Sequence, residues 1–236
     1  LEQMLIETRP DILDIVVPED AHINIALIGL KYKCNLFIEK PMTINYSDAK
    51  NIFDTAKQNG LRVYIGHVLR FDERYTALAD MLAEIDSKDM RHISMERNFQ
   101  SKSHYVYGRV HPAYSACIHD IDIVRWMSKS KVIEVSAFAN HYLNREYPDV
   151  IIAILKLDSG TLCTIQNVWH ISESCPYGFE FSSKFITKED TFMIRNEPVI
   201  SKWGKEGVEY PEMFFWPQIN GKIVGALKEE LTHNID

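Results

Sequence analysis

Short apolar strands alternate with amphipathic helices near the start of this chain, and that alternation limits the folds open to it. Apolar runs at 12–17, 35–39 and 61–66 have the length and composition of buried strands. The segments between them, about 20–30 and 47–59, carry apolar residues at helical spacing. Three strands joined by such short helical crossovers predict a parallel sheet with helices packed on its faces and right-handed connections.

Polar residues and a glycine mark the expected ends of these helices. Asp20 and Ser47 precede the helical runs and are predicted as N-caps, because a side-chain oxygen there can accept from a free backbone N–H. Gly60 is predicted to end the second helix. Amphipathic helices are also expected at both ends of the chain, over 1–9 and 225–236. A sequence that opens and closes inside helices is expected to be part of a longer protein.

After residue 70 the pattern changes from alternation to a run of strands. Helices are predicted at 75–85 and 116–127, and strands at 92–99, 132–138, 150–157, 161–170 and 179–187, with a hairpin turn at Asp158-Ser159-Gly160. The aromatic segment 203–217 is predicted as a long ordered loop. We therefore predict two domains, an α/β domain over 1–68 and an α+β domain with a large, mainly antiparallel open sheet over 69–236.

Composition and charge exclude several classes of function. The 236 residues carry a formal net charge of −7. That charge argues against a general binder of nucleic acid or anionic membranes, since phosphate recognition needs clustered Lys and Arg. No uncharged apolar stretch is long enough to span a bilayer. The four cysteines form no Cys-x-x-Cys pair, and the histidines lack metal-ligand spacing. We therefore expect a cytoplasmic protein with reduced thiols and no metal.

The strongest candidate for chemistry is Glu39-Lys40-Pro41, at the end of the second predicted strand. Ligands of parallel sheets bind beside the carboxyl ends of the strands. Lysine is costly to bury, and a partly desolvated lysine at such an edge can move protons. Glu39 beside it could accept hydrogen bonds from ribose hydroxyls. The alternative is an exposed turn with a solvated charge pair.

Three further places in the chain could carry chemistry. His119 and Asp122 are three residues apart on a predicted helix, and an imidazole beside a carboxylate suits general acid–base work. The alternative is a surface pair on a helix. Gly66-His67 and Arg70 follow the third strand, where a plain domain linker is the alternative. His22 opens a helix whose N-terminus favours anions, or it is simply a polar first-turn residue.

Taken together, these motifs resemble a known family. The chain carries, in this order, Asp11-x-x-Asp14-Ile15-Val16-Val17-Pro18-x-x-x-His22, then Glu39-Lys40-Pro41, then Gly66-His67-x-x-Arg70-Phe71, then His119-Asp120-Ile121-Asp122. Their order and spacing resemble the glucose–fructose oxidoreductase / inositol dehydrogenase / MocA family of NAD(P)-dependent sugar dehydrogenases. The resemblance implies a partial Rossmann-type domain followed by the open-sheet domain. It also implies a homo-oligomer, a dimer or tetramer, formed through that sheet.

The resemblance also implies roles for individual residues. It makes Lys40 and His119 catalytic, and it makes NAD or NADP the cofactor. Of the residues expected to contact the cofactor, Pro18, Glu39 and Lys40 match family positions, while His22 and Arg70 are expected there from their places in the chain. The residues expected to contact substrate are Asn98, Ser115, Asp120 and Trp169. Asn98 and Trp169 are placed there because they end predicted strands, and the alternative for Trp169 is a core or interface aromatic. The family's Gly-x-Gly-x-x-Gly fingerprint would precede residue 1 and is not in the chain.

One residue departs from the family pattern. Ser115 stands four residues before His119, where many members carry an Asp. The favoured hypothesis is an oxidoreductase acting on a secondary hydroxyl of a sugar, cyclitol or sugar nucleotide, in which the cofactor carries the hydride. The alternatives are a non-catalytic protein on the same fold that senses a dinucleotide or sugar, which Ser115 favours, and an unrelated α/β enzyme.

Overall fold

The computed structural model describes residues 1–103, 108–143, 145–173 and 179–195, together with the backbone of 200–204, 207–209, 218–219 and 222–223. The chain divides into two compact units, one formed by Leu1–His67 and one that begins at Val68. The predicted helix over 225–236 and Cys175 lie outside the described residues.

The first unit alternates helices and strands. Its elements are α1 (Glu2–Thr8), β1 (Ile12–Ile15), α2 (His22–Lys31), β2 (Asn35–Glu39), α3 (Tyr46–Asn59) and β3 (Val63–Gly66). The strands form a three-stranded parallel sheet in the order β1-β2-β3. The predicted parallel sheet is confirmed, and its three carboxyl ends meet at one edge because Ile15 pairs with Ile38 and Glu39 with Gly66.

The helices of the first unit bury an aliphatic core against the sheet. Its fully buried members include Ile15, Leu30, Leu36, Ile38 and Ile52. Helix α2 lies so close to the strands that a Cβ built at Gly29 would come within 2.8 Å of Leu13 and Leu36 side-chain carbons. Glycine at that position therefore sets the spacing between α2 and the sheet.

The helix ends agree with the sequence only in part. Gly60 ends α3 with a φ of 67°, as predicted. The predicted N-caps are wrong. Helix α2 follows Ala21 and α3 follows Asn45, and neither of these residues makes a side-chain cap hydrogen bond. Asp20 lies in the turn before α2, where the backbone bond from Ala21 N–H to the Pro18 carbonyl (2.9 Å) closes the bend instead.

In the part that the structure describes, the second unit combines two α-helices with a large sheet. After a 3₁₀ turn (Val68–Phe71) come α4 (Glu73–Leu82), β4 (Met90–Phe99), a π-helical turn (Ala113–Cys117), α5 (Ile118–Ser128), β5 (Val132–Asn140), β6 (Val150–Leu157), β7 (Leu162–Val168), β8 (Phe179–Thr187) and β9 (Thr191–Arg195). Two short 3₁₀ turns, Ser87–Asp89 and Ser101–Ser103, flank β4. The described strands continue with β10 (Ile200–Gly204), β11 (Gly207–Glu209), β12 (Gln218–Ile219) and β13 (Lys222–Ile223).

Eight of these strands form one sheet in the order β11-β10-β9-β8-β4-β7-β6-β5. Among its described pairings, β4 with β7 is parallel and the others are antiparallel. The predicted mainly antiparallel sheet is therefore confirmed. Gly160 supplies the positive φ of the turn between β6 and β7. The predicted loop over 203–217 is wrong at its start, where β10 and β11 extend to Glu209, and residues 210–217 lie outside the described chain.

Helices α4 and α5 cover one face of this sheet, which we call the inner face. The core there includes Tyr75, Ile93, Ile123, Leu155 and Phe185, all nearly or fully buried. The opposite or outer face of β5, β6 and β7 carries a group of exposed apolar side chains, which are Phe138, Ile152, Ile154 and Leu162.

Two further findings concern sequence expectations. None of the helices in the described part of the chain has the length and apolarity needed to cross a bilayer. Cys34, Cys117 and Cys163 are buried free thiols. Burial raises the pKa of Cys117 and of Cys163 to about 12, so both remain protonated at neutral pH.

Candidate functional site

The Glu39-Lys40-Pro41 segment lies at the carboxyl end of β2, the middle strand of the parallel sheet. Glu39 and Lys40 are half-buried and Pro41 is buried. The Lys40–Pro41 peptide bond is cis. The Glu39 carboxylate turns back to accept a hydrogen bond from the Lys40 backbone N–H at 3.0 Å. An acid and an amine are thus held at the edge where parallel sheets bind ligands.

Gly66, the last residue of β3, leaves room for the Glu39 side chain. A Cβ built at Gly66 would stand 3.2 Å from Glu39 Oε1 and 3.3 Å from its carboxyl carbon. The two residues are register partners on neighbouring parallel strands. A glycine at this position therefore keeps a space beside the carboxylate that any larger residue would narrow.

His22, the first residue of α2, contacts the same edge of the sheet from inside the unit. Its ring is fully buried, at 0% exposure. Nδ1 lies 2.9 Å from the Pro41 carbonyl oxygen, and Nε2 lies 2.9 Å from the Val17 carbonyl oxygen. Both ring nitrogens thus face backbone acceptors inside the unit. Pro18, the other predicted cofactor contact on this side, is exposed in the turn that follows β1.

In the second unit, His119 lies in the first turn of α5 and is half-buried. Its neighbour Asp120 is 1% exposed, and its carboxylate accepts hydrogen bonds from Arg97 Nε at 3.1 Å and Arg97 NH2 at 2.8 Å. Burial raises the pKa of Asp120 above its ordinary value, although the guanidinium of Arg97 acts in the opposite direction. Asp120, predicted to contact substrate, is buried inside the unit, where its pairing with Arg97 joins α5 to β4.

A second ion pair holds the other flank of α5. Arg70 Nε and NH2 donate to the two carboxylate oxygens of Asp122 at 2.8 and 2.7 Å. The same guanidinium lies 5.9 Å from the centre of the Trp126 ring. This fork-to-fork geometry fixes direction as well as distance. Asp122, predicted as a partner of His119, is thus bound by Arg70, and Arg70 joins the 3₁₀ turn to α5.

Ser115 lies in the π-helical turn that leads into α5 and is half-buried. Its backbone N–H donates to the His111 carbonyl at 3.3 Å. A π-helical turn adds a residue to the helical path and is frequent at functional sites. It therefore changes the direction of the residues just before His119 relative to a continuous α-helix.

Asn98 and Trp169 are both buried. Asn98 lies on the outer face of β4, donates to Glu180 Oε2 at 3.2 Å and accepts from the Val168 backbone N–H at 3.1 Å. Trp169 is 1% exposed, and its indole N–H donates to Asn167 Oδ1 at 2.7 Å. The ring of Phe99 stacks on Trp169 at 4.5 Å. A sugar could stack on this face of Trp169 only if the Phe99 ring moved away from it.

The sequence offered a signal for Arg97 that the predicted site did not use. Strand alternation puts Arg97 on the same face of β4 as Ile93 and Met95, the face that packs on α5. A charged residue on a core face requires a buried partner. The acidic residues of the predicted helix were the available partners, and Asp120 fills that role. Within the described residues, no cluster of His, Cys, Asp and Glu has the arrangement of a metal site.

Comparison with known proteins gives consistent matches for both units. Residues 1–67 match the sequence model of an oxidoreductase family with an NAD-binding Rossmann fold, named GFO_IDH_MocA, and residues 92–183 match the GFO/IDH/MocA C-terminal domain. Inositol 2-dehydrogenase of Salmonella typhimurium is 25% identical over 175 residues, which are 72% of this chain and 50% of that protein. The scyllo-inositol 2-dehydrogenase (NAD(+)) of Bacillus subtilis is 24% identical over 194 residues, 78% of this chain and 55% of that protein.

Solved structures match over most of the chain. A putative oxidoreductase from Thermotoga maritima superposes with a TM-score of 0.77 and 18% identity, covering 99% of this chain and 77% of that one. UDP-N-acetylglucosamine 3-dehydrogenase from Acidithiobacillus ferrooxidans superposes with a TM-score of 0.76 and 18% identity. The match covers 88% of this chain and 65% of that one. At these identities the likeness concerns the fold alone. The chain spans about half the length of the curated relatives it matches. Because its two units match the two successive domains of one family, the chain belongs to the Gfo/Idh/MocA oxidoreductase family.

Proposed function

We propose that this chain is part of an NAD(P)-dependent oxidoreductase that interconverts a secondary hydroxyl and a ketone on a sugar, cyclitol or sugar nucleotide. The observation that carries the proposal is the half-buried Lys40 beside Glu39 at the carboxyl edge of the parallel sheet. The family match places this edge within an NAD-binding Rossmann fold. Relatives named as inositol dehydrogenases and a structural neighbour named as a sugar-nucleotide dehydrogenase indicate the substrate class.

The residues at this edge fit a nicotinamide dinucleotide. The space kept by Gly66 leaves the Glu39 carboxylate room to accept from a ribose hydroxyl. Lys40 would donate to the same ribose, and Pro18 would border the site from the exposed turn after β1. When bound, the cofactor supplies the acceptor for a hydride. The protein must then supply orientation and a place for the proton.

We assign the two remaining tasks, taking up the proton and orienting the substrate oxygen, to His119 and Lys40. Oxidation of a secondary alcohol releases a proton from the hydroxyl as the hydride leaves the carbon. We assign the proton to the imidazole of His119, since a histidine is suited to exchange protons near neutral pH. The Lys40 Nζ group would donate to the substrate oxygen and stabilise the negative charge on it as the hydroxyl proton leaves. In the reverse direction His119 returns the proton to the alcohol oxygen.

Two ion pairs fix the part of α5 that carries His119. Arg97 holds Asp120, which directly follows His119, and Arg70 holds Asp122 two residues further on. An acid–base group must be held close to its productive position to be effective. We therefore propose that Arg70, predicted as a cofactor contact, contributes by orienting α5. Ser115 remains a proposed substrate contact.

The decisive experiment replaces Lys40 in the full-length protein. Lys40→Met is expected to lower kcat by roughly 10²–10³-fold, the usual cost of removing one donor that stabilises charge on the substrate oxygen. The Lys50→Met variant is the matched control, because Lys50 is an exposed lysine on α3 of the same unit. Formation of reduced nicotinamide would be followed by absorbance with inositols, free sugars and UDP-sugars. Near-normal turnover by Lys40→Met on a substrate of the unaltered protein would overturn the mechanism.

A non-catalytic sensor on the same fold is the second candidate, and Ser115 favours it. A serine cannot stabilise an imidazolium as a carboxylate does. Under this reading the full-length protein would bind NAD(P) saturably, measured by calorimetry, and would turn over none of the polyols and sugar nucleotides offered. Turnover of any of them rejects the sensor.

We also propose a location and an assembly. The free thiols of Cys34, Cys117 and Cys163 support a reducing compartment such as the cytoplasm. The outer face of β5, β6 and β7 exposes Phe138 at 78% and Ile154 at 47%. Apolar side chains grouped on an open sheet face favour contact with another protein surface. We assign that contact to a second copy of this chain, in a dimer or tetramer.

A further inference from the structure

His22 connects two neighbouring strand ends at the edge where Lys40 lies. Nδ1 is 2.9 Å from the carbonyl oxygen of Pro41, the residue after Lys40. Nε2 is 2.9 Å from the carbonyl oxygen of Val17, in the turn after β1. The ring has no exposed surface. One buried side chain therefore spans from the end of β1 to the segment that carries Lys40.

The backbone of His22 is held in place by the turn after β1 and by the packing of α2. The turn after β1 is closed by the bond from Ala21 N–H to Pro18 O at 2.9 Å. His22 then begins α2, whose next turns pack in the core through Ala26 and Leu30. The imidazole thus projects from a rigid base. Proline lacks an N–H, so the carbonyl is the one backbone group through which Pro41 can be hydrogen-bonded.

The tautomer of the imidazole decides which of the two carbonyls it holds. A neutral ring donates from one nitrogen, and a protonated ring donates from both. Each ring nitrogen faces a carbonyl oxygen. A ring with its proton on Nδ1 donates to the Pro41 carbonyl, and a ring with its proton on Nε2 donates to the Val17 carbonyl.

We infer that His22 is a positioning residue that holds the Lys40–Pro41 segment in place, and that it does not touch the cofactor. The inference rests on the proposed function for the role of Lys40. A positioning residue differs from a cofactor contact in one measurable respect. Loss of a cofactor contact weakens cofactor binding, whereas loss of a brace changes the accessibility of Lys40 and the rate of the step that Lys40 serves.

Three substitutions separate the two hydrogen bonds. His22→Asn retains an amide N–H near the position of Nδ1, within reach of Pro41. His22→Gln carries its amide further out, near the position of Nε2 and towards Val17. His22→Phe keeps a ring and removes both donors. Asn24→Ala, an exposed change on the same helix, is the matched control.

The first readout is chemical and needs no cofactor. The full-length protein would be treated with limiting acetic anhydride, and acetylation of Lys40 compared with that of Lys50 by peptide mass spectrometry. In His22→Phe and His22→Gln we expect Lys40 to react roughly fivefold faster, the order of change when one net hydrogen bond is lost from a locally opening segment. His22→Asn should react at the rate of the unaltered protein. Equal rates in all variants, or equal acceleration in Asn and Gln, would overturn the inference.

The second readout is kinetic. His22→Gln should lower kcat by about tenfold while the KM for NAD(P) stays within about twofold, because misplacement of a reacting group affects the chemical step. His22→Asn should recover kcat. A rise in the KM for NAD(P) with unchanged Lys40 acetylation would identify a cofactor contact and reject the brace.

The two proposals can fail separately. If the unaltered full-length protein turns over no sugar or cyclitol, the proposed function fails, and the acetylation pattern still decides the role of His22. If His22→Phe does not fold, as judged by circular dichroism, the comparison of Asn with Gln decides instead. Faster Lys40 acetylation in Gln than in Asn supports the brace, and equal rates reject it.

Discussion

At the scale of single residues, the missing side chain at position 66 determines how much room the Glu39 carboxylate has. A Cβ there would come 3.2 Å from Glu39 Oε1, closer than most real Cβ contacts. The φ of Gly66 is not positive, so its backbone conformation tolerates alanine. A substitution would therefore act through contact with Glu39 and not through the backbone.

Gly66→Ala is expected to displace the Glu39 carboxylate and weaken NAD(P) binding several-fold. It should also cost about 1 kcal/mol of folding free energy, the lower end for overpacking. Cofactor affinity would be measured by calorimetry and stability by urea unfolding. The control is a double-mutant cycle with Glu39→Ala, in which the cost of the added methyl group should vanish because the contact is gone. Additive effects in the cycle would show that Gly66 acts independently of Glu39.

Residue-scale prediction from sequence succeeded where one local rule applied and failed where two strands met. Lys40 follows β2, as the strand pattern indicated. Trp169 was considered both as a stacking residue for a sugar and as a core aromatic, and its contact with Phe99, which lies on another strand, is one that no local pattern reveals. Asp20 failed as a cap because the turn closes through the Pro18 carbonyl.

At the scale of elements, the connection between β5 and β6 is organised by one buried carboxylate. Asp149 has no exposed surface. Its Oδ1 accepts from the Tyr142 backbone N–H at 3.0 Å and lies 3.3 Å from His170 Nε2, while Oδ2 accepts from the Leu143 N–H. Burial acts to raise the pKa of Asp149, but these hydrogen bonds outweigh it and lower the pKa below 3.8.

The sign of that pKa shift fixes a dependence on pH. A carboxyl whose folded-state pKa is lowered stabilises the protein above its unfolded pKa. That contribution is lost as the pH falls from 3.8 through the lower folded value. Asp149→Asn should therefore cost about 1–3 kcal/mol near neutral pH, the cost of unsatisfied buried donors, and less under acid conditions. The measurement is urea unfolding across acid pH, with the exposed Asp158→Asn as control. A pH-independent difference would contradict the assignment.

Element prediction from sequence depended on whether a strand has one buried face or two. The alternating pattern of β4, β7 and β8 was read correctly, since one side chain in two faces the helices. Strand β9 was missed because Phe192, Met193 and Ile194 are buried in succession. A short run buried on both faces carries no period that distinguishes it from other apolar segments.

At the scale of the whole molecule, the outer face of the large sheet is the surface on which assembly is proposed to depend. Phe138 and Ile154 lie on that face, on β5 and β6. A Phe138→Asp/Ile154→Glu double variant of the full-length protein should dissociate an oligomer to monomers, because charges are strongly disfavoured at an apolar interface core.

Light scattering after size-exclusion chromatography would measure the assembly. Val135→Asp is the matched control, since Val135 is also exposed and on β5 but points to the inner face. The control should keep the mass of the unaltered protein. An unchanged mass for the double variant would rule out this face as the contact.

The pairing of β4 has a consequence for how the chain acquires its structure during synthesis. In the first sheet each strand pairs with the next one in sequence, so β1, β2 and β3 are all present once residue 66 has been made. Strand β4 ends at Phe99, but its neighbours β7 and β8 begin at Leu162 and Phe179. Non-local pairing of this kind slows folding. A ribosome therefore releases β4 with both edges unpaired, and among the described strands of the large sheet β4 waits longest for its first neighbour to be translated.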